Sequence, residues 1–418
     1  MLPRVLFLAA LYPRPANPLM GTWAQSQARA LHAAGVDLTV VSLNAWIPPI
    51  AASWPRARSF AHTPAVCNED GFPVHYPGWL YYSVDPLKRW SYPNPRPWLE
   101  VGLARAKREL TRIVEEARPD VVFAHHTCIG GFVAHWIKQH FGIAYVTLDH
   151  DFDEIADCRK LPLRFAHFER IARGASAMCA VAARMERDLR RLFPYVRTAT
   201  VHNGVAPIPA HLLTIPRPVE LLGKRIVLCA GMFYTRKGIP LLIEAFAKVA
   251  GRHPDAILRI VGDATKDALS ERERAAIHRA IAASGVKDRI ELRGLIPRQE
   301  LFQEMVWSDV FALVGWNEPL ATVFIEAMAA GKPVITASDG GINDLVRDGV
   351  HGRAVPPHSV DAVAAALDAL LGDADARKRM GAAALNLYES RLTPQANAAQ
   401  LLTIFDAARG AVPTSHAA

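Results

Sequence analysis

Short apolar runs and helical stretches alternate along this chain, and the alternation starts twice. Arg4-Val5-Leu6-Phe7-Leu8-Ala9 reads as a buried strand, Tyr12 to Met20 as a Pro-rich loop, and Gly21-Thr22-Trp23 as the opening of a helix that runs through Leu31. The next strand, 36–43, is entered from a helix stop at Gly35. Beyond a helix over 100–118 come strands at 119–126, 142–148, 175–181 and 198–205. Unbroken apolar runs of this length, separated by helices, suit strands buried on both faces, so the pattern predicts a parallel sheet with helices on either side. Residues 225–231 restart it, followed by a helix from Gly238 and strands at 256–261, 289–294 and 310–314. A chain of 418 residues with 51% hydrophobic content fills two cores. The Pro-rich stretch 206–218 reads as a linker between domains over 1–205 and 219–392, and alanine-rich helices are expected at 360–371 and 394–409.

Between residues 44 and 98 the pattern breaks into Pro, Trp and Tyr, as in Gly78-Trp79-Leu80-Tyr81-Tyr82 and Tyr92-Pro93-Asn94-Pro95-Arg96-Pro97-Trp98. So long an irregular stretch is expected to serve as an acceptor loop or membrane-contacting edge, or to pack over the sheet edge. Charge is unevenly shared. Of the net +8, +7 comes from the first half: up to Val205 there are 24 Lys and Arg against 17 Asp and Glu, and beyond it 24 against 23. Arg105, Lys107, Arg108 and Arg112, with Arg184, Arg187, Arg190 and Arg191, mark helical segments whose basic surface suits an anionic membrane, a phosphate-bearing acceptor or plain solvent. No nucleic-acid-binding motif accompanies the charge. The five cysteines, Cys67, Cys128, Cys158, Cys179 and Cys229, are scattered and lack metal-ligand spacing, as reduced thiols do. The apolar start is cut by Tyr12-Pro13-Arg14-Pro15 and lacks a small-residue cleavage site, so it is read as a strand rather than a secretory signal. No stretch reaches the ~18 apolar residues of a membrane span. The expected location is cytoplasmic, soluble or peripheral at the inner face of the plasma membrane.

The most specific local signal runs from Trp316-Asn317-Glu318-Pro319 through Leu320-Ala321-Thr322-Val323 to Glu326-Ala327-Met328-Ala329-Ala330-Gly331-Lys332-Pro333-Val334-Ile335. It sets Glu318 before a turn, the amides of Leu320 to Val323 at a helix start, and Glu326 about two turns along, ahead of a buried strand. Unpaired N–H groups and the positive end of a helix attract phosphate, while flanking carboxylates accept hydrogen bonds from hydroxyl-rich groups. A nucleotide-sugar has both parts. Ala230-Gly231-Met232-Phe233-Tyr234-Thr235-Arg236-Lys237-Gly238 has the strand, glycine-loop, helix layout of a phosphate grip, with Lys237 as a point charge for a leaving diphosphate. His125 stands at the carboxyl end of an apolar strand, where ligands of parallel sheets gather.

These segments resemble the donor site of the retaining glycosyltransferases of family 4, which carry an E-x7-E motif, a Glu-Ala-Met-Ala-x-Gly-x-Pro-Val run and a Gly-Arg-x-x-x-x-Lys-Gly loop. The resemblance spans nearly the whole chain. It implies an α/β protein of GT-B fold, two Rossmann-like doubly wound domains facing each other across a cleft, with a last helix in 393–418 crossing back to the first domain before a flexible tail. By the same resemblance Glu318 contacts the donor sugar, Glu326 the ribose and Lys237 the diphosphate. His125, in the place of the second histidine of a His-x-His pattern, touches the sugar near the reacting centre. Gly21 belongs to a loop over the diphosphate, the backbone at Ile296 meets the nucleobase, and Gly262 ends a strand facing the same site. Three departures stand out. Met232 occupies the family's arginine position, so either Arg236 supplies that cation or the diphosphate is held by one fewer. Leu320-Ala321-Thr322 replaces Phe-Gly-Leu, where Ala321 tightens the backbone approach and the Thr322 hydroxyl adds a donor. Asp149-His150-Asp151 is offset by one residue from Thr-x-His-Gly, which leaves His125 and His150 both open as the imidazole nearer the reaction.

No carboxylate is placed as a nucleophile for double displacement, and no Asp-x-Asp pair reads as a metal motif. The reaction implied is metal-independent, retaining transfer of a sugar from a UDP- or GDP-sugar co-substrate, with no further cofactor, to a hydroxyl on a sugar or lipid-linked saccharide, in bacterial surface polysaccharide, exopolysaccharide or glycolipid synthesis. Two other readings suit the architecture: a nucleotide-sugar 2-epimerase-like isomerase, and a sugar-nucleotide-binding protein of weakened catalysis, which Met232 and Ala321 would fit.

Overall fold

The structure is a computed structural model that describes residues 2–18, 20–54, 57–80, 90–263 and 268–410, without the side chains of 268–270. Tyr81, Tyr82 and the expected flexible tail after Gly410 lie outside the described residues. The chain divides into two compact units, Met1–Gly204 with Pro394–Ala418, and Val205–Thr393.

The first unit contains β1 (Arg4–Ala9), α1 (Thr22–Ala33), β2 (Asp37–Ser42), β3 (Asn44–Ala45), β4 (Val66–Glu69), β5 (Phe72–His75) and β6 (Gly78–Trp79). It continues with α2 (Arg96–Ala117), β7 (Val121–His125), α3 (Phe132–Phe141), β8 (Ala144–Asp149), α4 (Pro162–Gly174), β9 (Ala177–Ala180), α5 (Ala183–Leu192) and β10 (Thr198–Thr200). Its main sheet has the order β10-β9-β8-β7-β1-β2-β5-β4, with Val5 opposite Leu38 on one side and Val121 on the other. Every pairing is parallel except β4 with β5. The interior of β1, β7 and β8 is fully buried, as helices on both faces require.

The stretch 44–98, expected to be irregular, in fact supplies four strands. Cys67 pairs with Val74 and Val40 with Val74, so β4 and β5 extend the sheet. The signal for that hairpin was present: Asp70 (φ 49°) and Gly71 (φ 96°) form a two-residue turn in which both residues take positive φ. Strand periodicity hid it, because Phe72-Pro73-Val74-His75 is too short to show alternation.

The second unit contains β11 (Arg225–Ala230), α6 (Ile239–Ala250), β12 (Ala256–Val261), α7 (Ala268–Ala283), β13 (Ile290–Gly294) and α8 (Arg298–Trp307). There follow β14 (Val310–Leu313), α9 (Thr322–Ala329), β15 (Val334–Ala337), β16 (Gly352–Val355), α10 (Val360–Gly372) and α11 (Ala374–Arg391). Its sheet runs β13-β12-β11-β14-β15-β16, all parallel, the 3-2-1-4-5-6 order of a dinucleotide-type fold. Strand order reverses between β11 and β14, and in the first unit between β1 and β7. At such a reversal the connections pass to opposite faces of the sheet, and ligands bind outside the carboxyl ends of the strands there.

The last helix, α12 (Pro394–Gly410), belongs to the first unit, where it packs on α1, β7 and β8. Phe405 lies with its ring 5.3 Å from that of Phe123, and the buried Asn397 donates from Nδ2 to the carbonyl of His202 at 2.7 Å. Phe405 is fully buried, so Phe405→Ala is expected to cost about 3–5 kcal/mol. Urea unfolding followed by tryptophan fluorescence measures it, and a loss below about 1 kcal/mol would show that α12 is not part of this core.

Candidate functional site

In the second unit the site starts from two loops at the reversal of strand order. After β11 the chain makes a tight turn over Thr235–Lys237 and enters α6 through Gly238 at φ 67°. A Cβ on Gly238 would lie 2.8 Å from the carbonyl oxygen of Val314, and one on Gly315 would meet that of Arg236. Both positions therefore need glycine for the loops after β11 and β14 to touch backbone to backbone. Trp316 N seals the contact by donating to Arg236 O at 2.9 Å.

That contact brings Lys237 Nζ to 2.7 Å from Glu318 Oε2, with side chains only 12% and 10% exposed. Glu318 is fixed from its other side as well. Gly341 N donates to the Glu318 carbonyl at 2.8 Å, and Asn317, held at φ 49°, donates from its backbone N to Asp339 Oδ2 at 3.2 Å. Two residues after Pro319, Ala321 adopts an extended conformation and α9 begins at Thr322 with no side-chain cap. Helix geometry leaves the first-turn amides of Thr322 and Val323 without intrahelical acceptors. Leu320, Ala321, Thr322 and Val323 thus form the helix entrance beside the ion pair.

Glu326 lies four residues after Thr322, little more than one turn along rather than two, because the helix starts later than the apolar pattern suggests. It is 3% exposed, and its Oε1 lies 2.7 Å from Arg298 Nη2 at the start of α8. Burial pushes the Glu326 carboxyl above its usual range, and Arg298 opposes that push. Gly262 N donates to Gly294 O, and Gly231 N to Val261 O, so the carboxyl ends of β11, β12 and β13 meet there. Ile296 is partly buried two residues beyond Gly294. Met232 and Arg236 are also partly buried.

In the first unit Gly21 caps the start of α1 in a left-handed conformation, and Gln27 projects from the same helix. Its Oε1 lies 2.6 Å from His125 Nε2, which places the ring proton on Nε2. Burial, then His150 and His126, hold the His125 imidazole far below the ordinary histidine range, so it is neutral. His150 is lowered for the same reasons, burial first and then His126. The two rings are 4.3 Å apart, and His126 is 5.5 Å from His150, so both open candidates belong to one imidazole cluster.

His126, at φ 60°, opens a π-helical segment over His126–Gly131. Burial alone would lower it, but Glu154 at 3.7 Å overrides this and raises it. Asp149 is fully buried and accepts from Thr127 N and Oγ1, both at 2.7 Å. Burial and the nearby Glu154 push its carboxyl up to about 6 against these hydrogen bonds.

Among the described residues no group of three or more His, Cys, Asp or Glu is arranged to hold a metal ion. The chain does contain Asp-x-Asp, at Asp149-His150-Asp151, Asp151-Phe152-Asp153 and Asp373-Ala374-Asp375. Asp149 is engaged by Thr127. In the other two the first aspartate caps a helix: Asp151 Oδ1 accepts from Asp153 N at 3.1 Å, and Asp373 Oδ1 from Ala376 N at 2.8 Å. Gln27, Glu154, Arg298 and Asp339 complete these clusters without any motif to announce them. Arg298, just past Ile296-Pro297, and Glu154, just past the segment that holds His150, stood near residues singled out from the sequence.

Two open α/β sheets, each with its polar cluster at a reversal of strand order, are the two domains of a GT-B fold. Residues 20–204 match the family described as Glycosyl transferase 4-like domain, and residues 215–387 match Glycosyl transferases group 1. The chain belongs to the family-4 glycosyltransferases. It is 24% identical over 377 residues to TuaC of Bacillus subtilis (strain 168), a protein whose name assigns it to teichuronic acid biosynthesis, covering 87% of this chain and 88% of that one. Among solved structures it superposes on sucrose-phosphate synthase from Thermosynechococcus elongatus with TM-score 0.76, 20% identity and 98% and 99% of the chains covered. On Anabaena Alr3699/HepE in complex with UDP and glucose the values are 0.68, 17%, 96% and 99%.

The raised Asp149 has a measurable consequence. Folded Asp149 holds its proton up to about pH 6 while the unfolded chain releases it near 3.8, so its stabilising contribution is present in acid and is lost as pH rises through 6. Relative to Asp149→Asn, the wild type should lose about 2–3 kcal/mol between pH 4 and 7. Urea titrations of both proteins across that range test this, and parallel curves would refute it.

Proposed function

We propose that this chain is a retaining, metal-independent glycosyltransferase that moves a sugar from a nucleoside-diphosphate donor, UDP- or GDP-linked, to a hydroxyl of a saccharide or lipid-linked saccharide. The observation that carries this reading is the nearly buried Lys237–Glu318 pair set beside the uncapped start of α9. An ammonium has three donors, and Glu318 engages one. The others, with the Thr322 and Val323 amides, suit a diphosphate whose charge grows as its bond to the sugar breaks. Arg236 adds a cation in the same loop, and Leu320 and Ala321 shape the backbone approach.

Glu318 accepts from sugar hydroxyls, Glu326 from the ribose, and the backbone near Ile296 and Gly262 receives the base. Gly21 is assigned to the diphosphate loop. His125, neutral and held by Gln27, acts as a hydrogen-bonding group toward the sugar rather than as a cation. In the step itself the acceptor oxygen bonds to the anomeric carbon on the face from which the diphosphate departs. The carbon–oxygen bond to phosphate breaks with its electron pair on the diphosphate, and a phosphate oxygen takes the acceptor proton. Among relatives, TuaC's name supports a surface-polysaccharide role, and the UDP complexes of HepE support a nucleotide-linked donor. These relatives favour transfer over the isomerase reading, and a requirement for acceptor separates the two.

No helix among the described residues is long and apolar enough to cross a membrane. Peripheral contact from the cytoplasmic side is supported by the first unit's surface. Val101, Arg105, Arg108 and Arg112 share one face of α2, Arg105 lies over the ring of the partly exposed Trp46 at 5.7 Å, and the exposed Trp90 meets Trp98 at 5.2 Å. Tryptophans beside basic residues suit an anionic interface. Arg105→Glu with Arg108→Glu should abolish co-sedimentation with phosphatidylglycerol vesicles. Retained binding by the variant, or none by the wild type, would remove the membrane contact.

Lys237→Ala and Glu318→Ala are each expected to slow transfer ~100-fold or more. The assay follows nucleoside diphosphate released from UDP- and GDP-sugars in the presence of chelator, with the anomeric configuration of the product read by NMR. Near-normal rates in both variants, an inverted product, or a need for divalent metal would each contradict the corresponding part of the proposal.

A further inference from the structure

Arg298 is the first residue of α8, half exposed, and its guanidinium lies 4.8 Å from the ring of Phe302 one turn along. From that exposed position it reaches a carboxylate that is almost wholly buried, Glu326 Oε1 at 2.7 Å. A carboxylate has about four lone-pair sites, and a single contact at Oε1 leaves most of them available.

We infer that Arg298 is a positioning residue for the donor's ribose, holding Oε1 of Glu326 so that the remaining lone pairs of the carboxylate face the 2′ and 3′ hydroxyls. The inference rests on the nucleoside-diphosphate reading above. Two observations support it. Glu326 sits on α9, whose packed neighbours β14 and β15 carry no ionisable side chain; of the charges on the other neighbours, α8 and α11, only Arg298 acts on Glu326. Burial works against the charged form of Glu326, and the guanidinium is what opposes it. Without that contact the carboxyl group takes up a proton more readily and one oxygen becomes a donor, which two ribose hydroxyls cannot share as a common acceptor. Arg298 is also the exposed member of the pair, so the orientation of a nearly buried group is set from the surface.

The experiment compares the wild type with R298Q, R298K and E326Q by calorimetry. The probes are whichever of UDP, GDP and ADP the wild type binds most tightly, and its 2′,3′-dideoxy counterpart. R298Q should weaken the ribonucleotide by roughly 10- to 100-fold and leave the dideoxy analogue nearly unchanged. R298K should recover part of the loss, and E326Q should show the same insensitivity to the sugar hydroxyls. The deficit of R298Q relative to the wild type should be larger at about pH 5.5 than at about pH 8. In turnover the change should fall on KM more than on kcat.

Equal weakening of both probes would overturn the inference, since Arg298 would then touch base or phosphate itself. Unchanged discrimination would overturn it too. If R298Q fails to fold, R298K carries the test through its intermediate discrimination. A wild type that binds none of the three diphosphates would bring down the donor reading and this inference together, an outcome distinct from binding without discrimination.

Discussion

The Lys237–Glu318 pair of the second unit depends on how closely two loops approach. The sheet order places β11 beside β14, so the loops that follow them leave from adjacent strand ends. Adjacent strands alone would leave those loops a side chain's width apart. Glycine at 238 and 315 removes that width, and the Trp316 to Arg236 hydrogen bond holds the loops together. The ammonium and carboxylate of Lys237 and Glu318 then meet at a place from which water is mostly excluded. A pair of this kind adds little to stability, because removing two charges from water costs about as much as their attraction returns. Its value lies in orientation: the groups stand ready before any ligand arrives.

The first unit solves a different electrostatic problem. Its cluster at the end of β7 contains three imidazoles, yet two are kept neutral by burial and by neighbouring imidazoles, His126 acting on both. Only His126 is raised, by Glu154, whose own carboxyl burial would raise but which His126 and Arg164 bring below its usual range. Arg164 is itself buried, donates to the Tyr92 carbonyl and lies over the Tyr92 ring. The cluster therefore offers neutral hydrogen-bonding nitrogens on a rigid base. Such groups suit hydroxyls, whereas the second unit's cations and amides suit phosphate. The two halves are alike in fold and opposite in chemistry.

Much of the fold was legible because buried parallel strands announce themselves as apolar runs; Ala256–Val261 was found with its observed limits. Four things were not. β4 and β5 are too short to show a period, although Asp70-Gly71 spelled their turn. β16, Gly352–Val355, is four residues with an arginine, and nothing in it looks like a buried strand. α11 is exposed over much of its length and so lacks a strong apolar stripe. Glu326 was placed a turn too far because Pro319 and Leu320 look like the helix start, while the chain stays extended until Ala321. Residues that work through backbone or through one partner, such as Gln27 on His125 and Arg298 on Glu326, have no spacing to betray them. They become visible only when strands far apart in sequence lie side by side.

The return of α12 to the first unit has a consequence for how the chain is made. The segment before Val205 leaves the ribosome ahead of the helix that covers β7 and β8, which is synthesised only after the whole of Val205–Thr393. The first unit is therefore completed only after the second has been made, and until α12 emerges it exposes the apolar surface around Phe123 that Phe405 will later cover. A nascent chain of this kind has an uncapped core for the time needed to synthesise its other lobe, which makes it a natural client for chaperones during that interval.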